Sequence, residues 1–183
     1  MGNNTKILIN KRFLFLDRDG VINVHRKNDY VKAIDEFEFL PGAEMALVAL
    51  SHLFERIIIV TNQRGVGKGK MSETSLLSVH TYLKTRIESQ GGRIDAIYYC
   101  TELDDNHPRR KPNGGMAEQA KTDFPEINFS QSIMVGDTKT DIEFGNKLNM
   151  CTVLIKNEPP PYTSQPDCVF PSLTAFAFSL ENE

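Results

Sequence analysis

The sequence predicts an α/β fold, a parallel sheet covered by helices on both faces, and three observations carry that prediction. Short apolar runs recur along the chain, among them Phe13-Leu14-Phe15-Leu16, Ile57-Ile58-Ile59-Val60 and Ile133-Met134-Val135. Such runs cannot present a wet face, so they read as strands buried on both sides. Between them lie helix-length segments with apolar residues at three- and four-residue spacing, and strands alternating with helices argue right-handed parallel connections. Finally, the apolar runs stop at polar residues or glycine, as strand ends do.

The elements follow in order. Phe13 to Leu16 is the first core strand. Residues 21 to 40 mix polar and aromatic residues (Val24, Tyr30, Phe37, Phe39) around the turn signal Asn28-Asp29, which predicts a small flap rather than a helix. Pro41-Gly42 opens a helix, with proline in the tolerated first turn, and Met45, Val48, Ala49 and Leu53 mark its buried stripe. Arg56 to Val60 is the second strand, ending at Thr61-Asn62-Gln63. A glycine-bearing loop, Arg64 to Lys70, precedes a helix capped by Ser72 with Leu76, Val79, Leu83 and Ile87 on one face. That loop is no phosphate-binding Walker sequence, because no glycine lies five before Gly69 and Met71 follows Lys70. Gly91-Gly92 ends the helix, and Ala96 to Cys100 is the third strand. A polar segment from Thr101 to Asn113 leads to a helix over Gly115 to Thr122. Ser132 to Val135 is the fourth strand, Thr138 to Leu148 a helix, and Met150 to Ile155 a strand. Pro159-Pro160-Pro161 breaks the chain before a last short strand, Cys168 to Phe170, and a helix from Ser172.

Composition narrows the class. A chain of 183 residues suits one domain, 1–183, with a full core. Hydrophobic content of 40% and charged content of 25% are those of an ordinary globular protein. A net charge of -3 offers no basic surface, so no nucleic-acid partner is expected. Three scattered cysteines fit a reducing compartment rather than a disulfide framework. Lys6 to Asn10 is too short an apolar patch for a signal core, and no run approaches a membrane span. The default is a cytoplasmic monomer or small oligomer with no membrane contact.

In an open α/β sheet the ligand sits beyond the carboxyl ends of the strands. Four such ends carry distinct chemistry here. The first offers Asp17 and Asp19, whose i, i+2 spacing in extended chain aims both the same way. Two like charges so placed repel unless a cation lies between them. A calcium loop fits poorly, since Asn28 rather than Glu falls at the closing position. The second end offers Thr61-Asn62, the loop after the third Arg110-Lys111, and the fourth Asp137 with Asp141 one helical turn on. Each has a plain alternative: an Asp-Gly turn, a cap or turn pair, a solvated basic loop, acids favoured at a helix start. Coincidence at four ends is far less probable than at one. Phosphoryl transfer asks for this set: a nucleophilic carboxylate, oxygen ligands for magnesium, and a hydroxyl and an ammonium over the phosphoryl oxygens.

Taken together, Phe15-Leu16-Asp17-Arg18-Asp19-Gly20-Val21-Ile22-Asn23, Thr61-Asn62-Gln63, Gly65-Val66-Gly67-Lys68-Gly69-Lys70, Ile97-Tyr98-Tyr99-Cys100, Arg110-Lys111-Pro112 and Met134-Val135-Gly136-Asp137 resemble the haloacid dehalogenase superfamily of phosphatases. The resemblance is strongest to the histidinol-phosphate and heptose-bisphosphate phosphatase branch, and it runs from about Arg12 to Leu173. It implies a Rossmann-like fold with a small flap and no large cap domain, acting on a small phosphorylated sugar. By the same resemblance Asp17 is the nucleophile and Asp19 the general acid, then base. Asp17, the Asp19 carbonyl and Asp137 hold Mg2+. Thr61 and Lys111 steady the phosphoryl group, while Asn62, Arg110 and the flap residues His25 and Asn28 reach the substrate. Asp141 orients a metal-bound water or Lys111. Heptose 1,7-bisphosphate is the expected substrate, with histidinol phosphate or another sugar phosphate as the alternative. A phospho-acceptor signalling module also combines acids, threonine and lysine, but it places its acceptor after a middle strand.

Two departures from the branch stand out. Thr138 replaces a lysine often found after the metal-binding aspartate. Cys100 stands alone where relatives carry a Cys-x-His and Cys-x-Cys pair, with Glu102 in the histidine position. Cys100 and His107 are two ligands where a structural zinc needs four, so zinc is not expected.

Overall fold

The computed structural model describes residue 8, residues 10–156 and residues 164–181. The triple proline and most of the apolar patch from Lys6 to Asn10 lie outside the described residues. Six strands form one sheet: β1 (Phe13–Leu16), β2 (Arg56–Asn62), β3 (Ala96–Cys100), β4 (Ser132–Gly136), β5 (Cys151–Ile155) and β6 (Cys168–Phe170). All neighbours pair in parallel, in the order β3-β2-β1-β4-β5-β6. This is the Rossmann strand order, whose direction of winding reverses between β1 and β4.

Among the described residues six α-helices accompany the strands: α1 (Ala43–Leu53), α2 (Arg64–Gly67), α3 (Glu73–Glu88), α4 (Gly115–Asp123), α5 (Lys139–Lys147) and α6 (Leu173–Glu181). Side chains alternate along a strand, so each apolar run feeds two cores. Leu14 and Leu16 join Ile57, Ile59, Ile133 and Val135 beneath α1, α3 and α6. Phe13 and Phe15 join Ile58, Val60 and Met134 beneath Met116 and Ala120 of α4 and Phe144 of α5. The sandwiched strands are therefore buried on both sides, as their composition requires. Among the described residues no helix is long and apolar enough to cross a membrane.

Three expectations need correction. Helix α1 begins at Ala43, not in the Pro41-Gly42 turn, because Gly42 has φ +75° and Thr174 Oγ1 occupies the space where a Cβ would stand. Its buried face is Ala43, Ala46, Leu47, Leu50 and Ser51, with Val48 of the expected stripe partly buried against the same core, while Met45 and Leu53 are exposed. The segment is apolar nearly all round, so spacing alone offers two stripes, and packing against α6 selects the one with small residues. The loop from Arg64 also holds a short helical turn, α2, whose Gly65 lies under the Tyr30 ring.

The flap between β1 and α1 is closed at its base by Val24 N–H to Glu38 O (2.8 Å) and Leu40 N–H to Ile22 O (2.9 Å). Phe37 anchors it against Phe39 and Tyr82, at ring separations of 5.0 and 5.8 Å.

Candidate active site

The turn after β1 is built around one carbonyl. Arg18 O accepts from Ile22 N–H (2.8 Å) and Asn23 N–H (3.2 Å), and Gly20 N–H donates to Asn23 O (2.8 Å). Gly20 takes φ +88°, and a Cβ there would come within 2.3 Å of Asp137 Oδ2. Only glycine lets the β1 turn approach the β4 acid so closely. Asp17 N–H continues the β1–β4 ladder to Val135 O at 2.9 Å, which places its side chain at the winding reversal.

Lys111 arrives from the other side. Asn62 at the end of β2 holds its backbone reciprocally, donating from Nδ2 to Lys111 O and accepting Lys111 N–H at Oδ1, both 3.1 Å. The buried ammonium then lies 2.9 Å from Asp17 Oδ1 and 2.6 Å from Asp141 Oδ1. Asp141 Oδ2 accepts the Thr138 N–H (3.0 Å) and hydroxyl (2.5 Å), so both its oxygens are engaged. Burial tends to push an ammonium down, but the two carboxylates overcome this and hold the Lys111 pKa above its ordinary value.

Carboxylate oxygens of Asp17, Asp137 and Asp141 lie within 4.8 Å of one another, the one such cluster of acids, histidines or cysteines among the described residues. Burial pushes Asp17 up to about 6, against the pull of Lys111. Burial, then the charges of Asp17 and Asp141, push Asp137 up to about 8. Asp137 Oδ1 is buried without a hydrogen-bond partner. Were all three carboxylates ionised, one ammonium would leave two negative charges unbalanced, and the orphaned Asp137 oxygen marks where a hard divalent cation fits.

Asp19 has the opposite environment. Burial pushes it up, but Arg18 Nη2 (2.9 Å to each oxygen), Asn23 Nδ2 and Gln63 Nε2 (2.9 Å each) outweigh that and bring its pKa below the usual carboxylate value. Gln63 Nε2 also donates to Thr61 Oγ1 at 2.9 Å.

These groups floor a cleft of about 470 Å3. Asp17, Asp19, Thr61, Asn62, Lys111, Asp137 and Asp141 all line it, as do the flap residues His25 and Asn28. Arg110 does not. It is buried, with Nε on Asp105 (3.0 Å) and Nη1 on Glu102 O (3.2 Å), and it braces the loop that presents its neighbour. Arg26, within the flap expected to reach the substrate, lines the cleft too, as do Arg64 and Lys68, for which the sequence suggests no role. Nor does the sequence assign a role to Arg18, Asn23 or Gln63. Alternation offered a signal for Arg18: between two acids on one side of the chain it must point to the other, where a guanidinium needs partners. Cys100 Sγ lies 3.8 Å from His107 Nδ1.

Fold and site define an α/β domain that gathers acids, a hydroxyl and an ammonium at the switch point of a Rossmann-ordered sheet, the arrangement of a phosphoryl-transfer enzyme. Residues 108–176 match the HAD-hydrolase-like family. The D-glycero-alpha-D-manno-heptose-1,7-bisphosphate 7-phosphatase of Burkholderia mallei is 36% identical over 156 residues, covering 79% of each chain. The D-glycero-beta-D-manno-heptose-1,7-bisphosphate 7-phosphatase of Vibrio cholerae is 33% identical over 163 residues, covering 85% of this chain and 86% of its own. A crystal structure of the D,D-heptose 1,7-bisphosphate phosphatase of B. bronchiseptica, complexed with magnesium and phosphate, superposes with a TM-score of 0.83 at 26% identity, covering 93% of this chain and 98% of that one. The chain belongs to the haloacid dehalogenase superfamily, in the branch of the heptose-bisphosphate phosphatases.

Proposed function

We propose that this protein is a magnesium-dependent phosphomonoester hydrolase working through an aspartyl phosphate, and that it removes the 7-phosphate of D-glycero-D-manno-heptose 1,7-bisphosphate. The observation that carries the chemistry is the convergence of Asp17, Thr61, Lys111 and Asp137 on one cleft. The named relatives support the substrate, and they act on both anomers at similar identity, so neither anomer is preferred by likeness.

Asp17 attacks phosphorus in line, and the ester P–O bond breaks as Asp19, which must first take up a proton against the pull of Arg18, delivers it to the leaving oxygen. Thr61 and Lys111 hold the phosphoryl oxygens as charge moves onto them. Asp19, now ionised, takes a proton from the water that attacks the aspartyl phosphate, which releases inorganic phosphate and restores Asp17. Asp17, Asp137 and the Asp19 carbonyl would hold magnesium, which would neutralise charge on the phosphoryl group. Asn62 serves by fixing the Lys111 backbone, and the cleft-lining His25 and Asn28 meet the sugar. Asp141 fixes the ammonium of Lys111.

The deciding experiment measures phosphate release with magnesium from both heptose 1,7-bisphosphate anomers, histidinol phosphate and common sugar phosphates. The highest kcat/KM is expected for a heptose bisphosphate. Preference for histidinol phosphate would overturn the substrate, and release from none would overturn the chemistry.

Magnesium should also stabilise the fold in a pH-dependent way. Asp137 at about 8 and Asp17 at about 6 lie above their unfolded values, so the metal-free folded state binds more protons than the unfolded one. Its stability therefore falls as pH rises through that window. A cation must displace those protons, so its stabilisation grows over the same range. Thermal unfolding with and without magnesium is expected to show a larger rise in Tm near pH 8 than near pH 6. An equal shift at both would remove these acids as the ligands.

A further inference from the structure

Arg18 is fully buried, a costly place for a guanidinium unless its N–H groups find acceptors. Its Nη2 reaches both Asp19 oxygens and Gln63 Oε1 (3.3 Å), and its Nη1 meets His80 Nε2 at 3.1 Å. Its Nε is already buried without a partner, so among the described residues His80 holds the one acceptor at the Nη1 end. A guanidinium has donors only, so Nε2 is the accepting nitrogen and the ring proton belongs on Nδ1. Burial first, then the facing Arg18 charge, hold His80 down at about 3, so the ring is a neutral acceptor near neutral pH. His80 sits on the buried face of α3, its ring 5.5 Å from that of Tyr99, and it is not among the residues lining the cleft. It touches no reacting atom.

We infer that His80 is a positioning residue for Asp19: it anchors one end of Arg18, and the other end of that guanidinium sets where the Asp19 carboxylate stands over the cleft. This rests on the phosphatase reading above. Asp19 projects from a short turn, and each of its oxygens already accepts a second donor, Asn23 on Oδ1 and Gln63 on Oδ2. Its place is thus the resultant of three donors, of which Arg18 is the only charged one. Loss of the His80 acceptor leaves Nη1 without its partner in a dry site, and the guanidinium must turn to find another. Misplacement of a reacting group by about 1 Å can cost about 100-fold in rate.

A displaced general acid has a signature that a merely loosened fold lacks. An alkoxide needs a proton as it leaves, whereas p-nitrophenolate departs without one, so damage to proton delivery falls on the alkyl ester. The ratio of kcat/KM for heptose 1,7-bisphosphate to that for p-nitrophenyl phosphate, taken on one preparation, is also independent of how much of it is folded. His80→Phe keeps an aromatic ring and removes the acceptor; His80→Gln keeps an acceptor. His80→Phe is expected to lower the ratio by about 10-fold or more, toward the range general acids contribute, while His80→Gln stays within about 2-fold of wild type. An unchanged ratio in His80→Phe, whatever its overall activity, overturns the role of His80 and leaves the phosphatase reading standing. An equal fall in both variants overturns the acceptor argument. A wild type that hydrolyses neither ester sinks the phosphatase reading and this one with it.

Discussion

Asp17→Asn is expected to lower steady-state phosphate release by about 10⁴-fold or more, the scale seen when a covalent nucleophile is removed. The substitution is nearly isosteric, so an oxygen can still accept from the Lys111 ammonium now 2.9 Å from Asp17 Oδ1. What disappears is the anionic oxygen that attacks phosphorus, and with it one negative charge from a crowded cluster. Because Asp17 and Asp141 both push the Asp137 pKa upward, loss of that charge should ease Asp137 toward ionisation rather than strain the fold. The expected result is an unchanged or slightly raised Tm without metal, weaker stabilisation by magnesium, and no phosphoenzyme after acid quench. Turnover within about 10-fold of wild type, with the fold verified by circular dichroism, would exclude covalent catalysis at this position, since a residual rate that high exceeds what binding and charge stabilisation alone leave behind.

The site was more legible in the sequence than the packing that supports it. Each strand end carries its chemistry within two residues of an apolar run, so Asp17, Thr61 and Asp137 could be placed on one rim from the parallel α/β pattern alone. Lys111 and Arg110 could not be told apart that way. They are adjacent cations on an irregular loop, and only the long-range clasp of Asn62 on the Lys111 backbone decides which turns inward. Asn62 itself illustrates the limit: its type suits substrate contact or a turn, and its partner lies 49 positions away. His80 falls on the apolar stripe with Leu76, Val79 and Leu83, so its burial was readable from helical spacing. Its purpose was not, because the guanidinium that needs it belongs to β1's turn. In α1 the ambiguity was of another kind. An apolar residue on nearly every side leaves the stripe undetermined until α6 packs against it.

Lys111→Met should cost both activity and stability, and the two losses should respond differently to pH. The methionine fills the channel of the lysine stem but leaves Asp17 and Asp141 without the ammonium at 2.9 and 2.6 Å. Breaking a buried ion pair from one side typically costs about 3–5 kcal/mol, and for a chain of this size each kcal/mol lowers Tm by roughly 2–4 °C. Asp17 can recover part of that by binding a proton. Without Lys111 its folded-state pKa rises further above the unfolded value, so the folded state holds the excess proton and stability falls as pH increases. The drop in Tm relative to wild type should therefore be larger near pH 8 than near pH 6, the values to which Asp137 and Asp17 are already raised. Protonation cannot rescue catalysis, because the phosphoryl oxygens still lack their cation in the transition state; kcat/KM should fall by about 10²–10³-fold, as when one preorganised donor is removed. Thermal melts at the two pH values and phosphate-release kinetics separate the effects. A variant with near-normal turnover and the same Tm deficit at both would mean that Lys111 neither steadies the phosphoryl group nor balances the acids it touches.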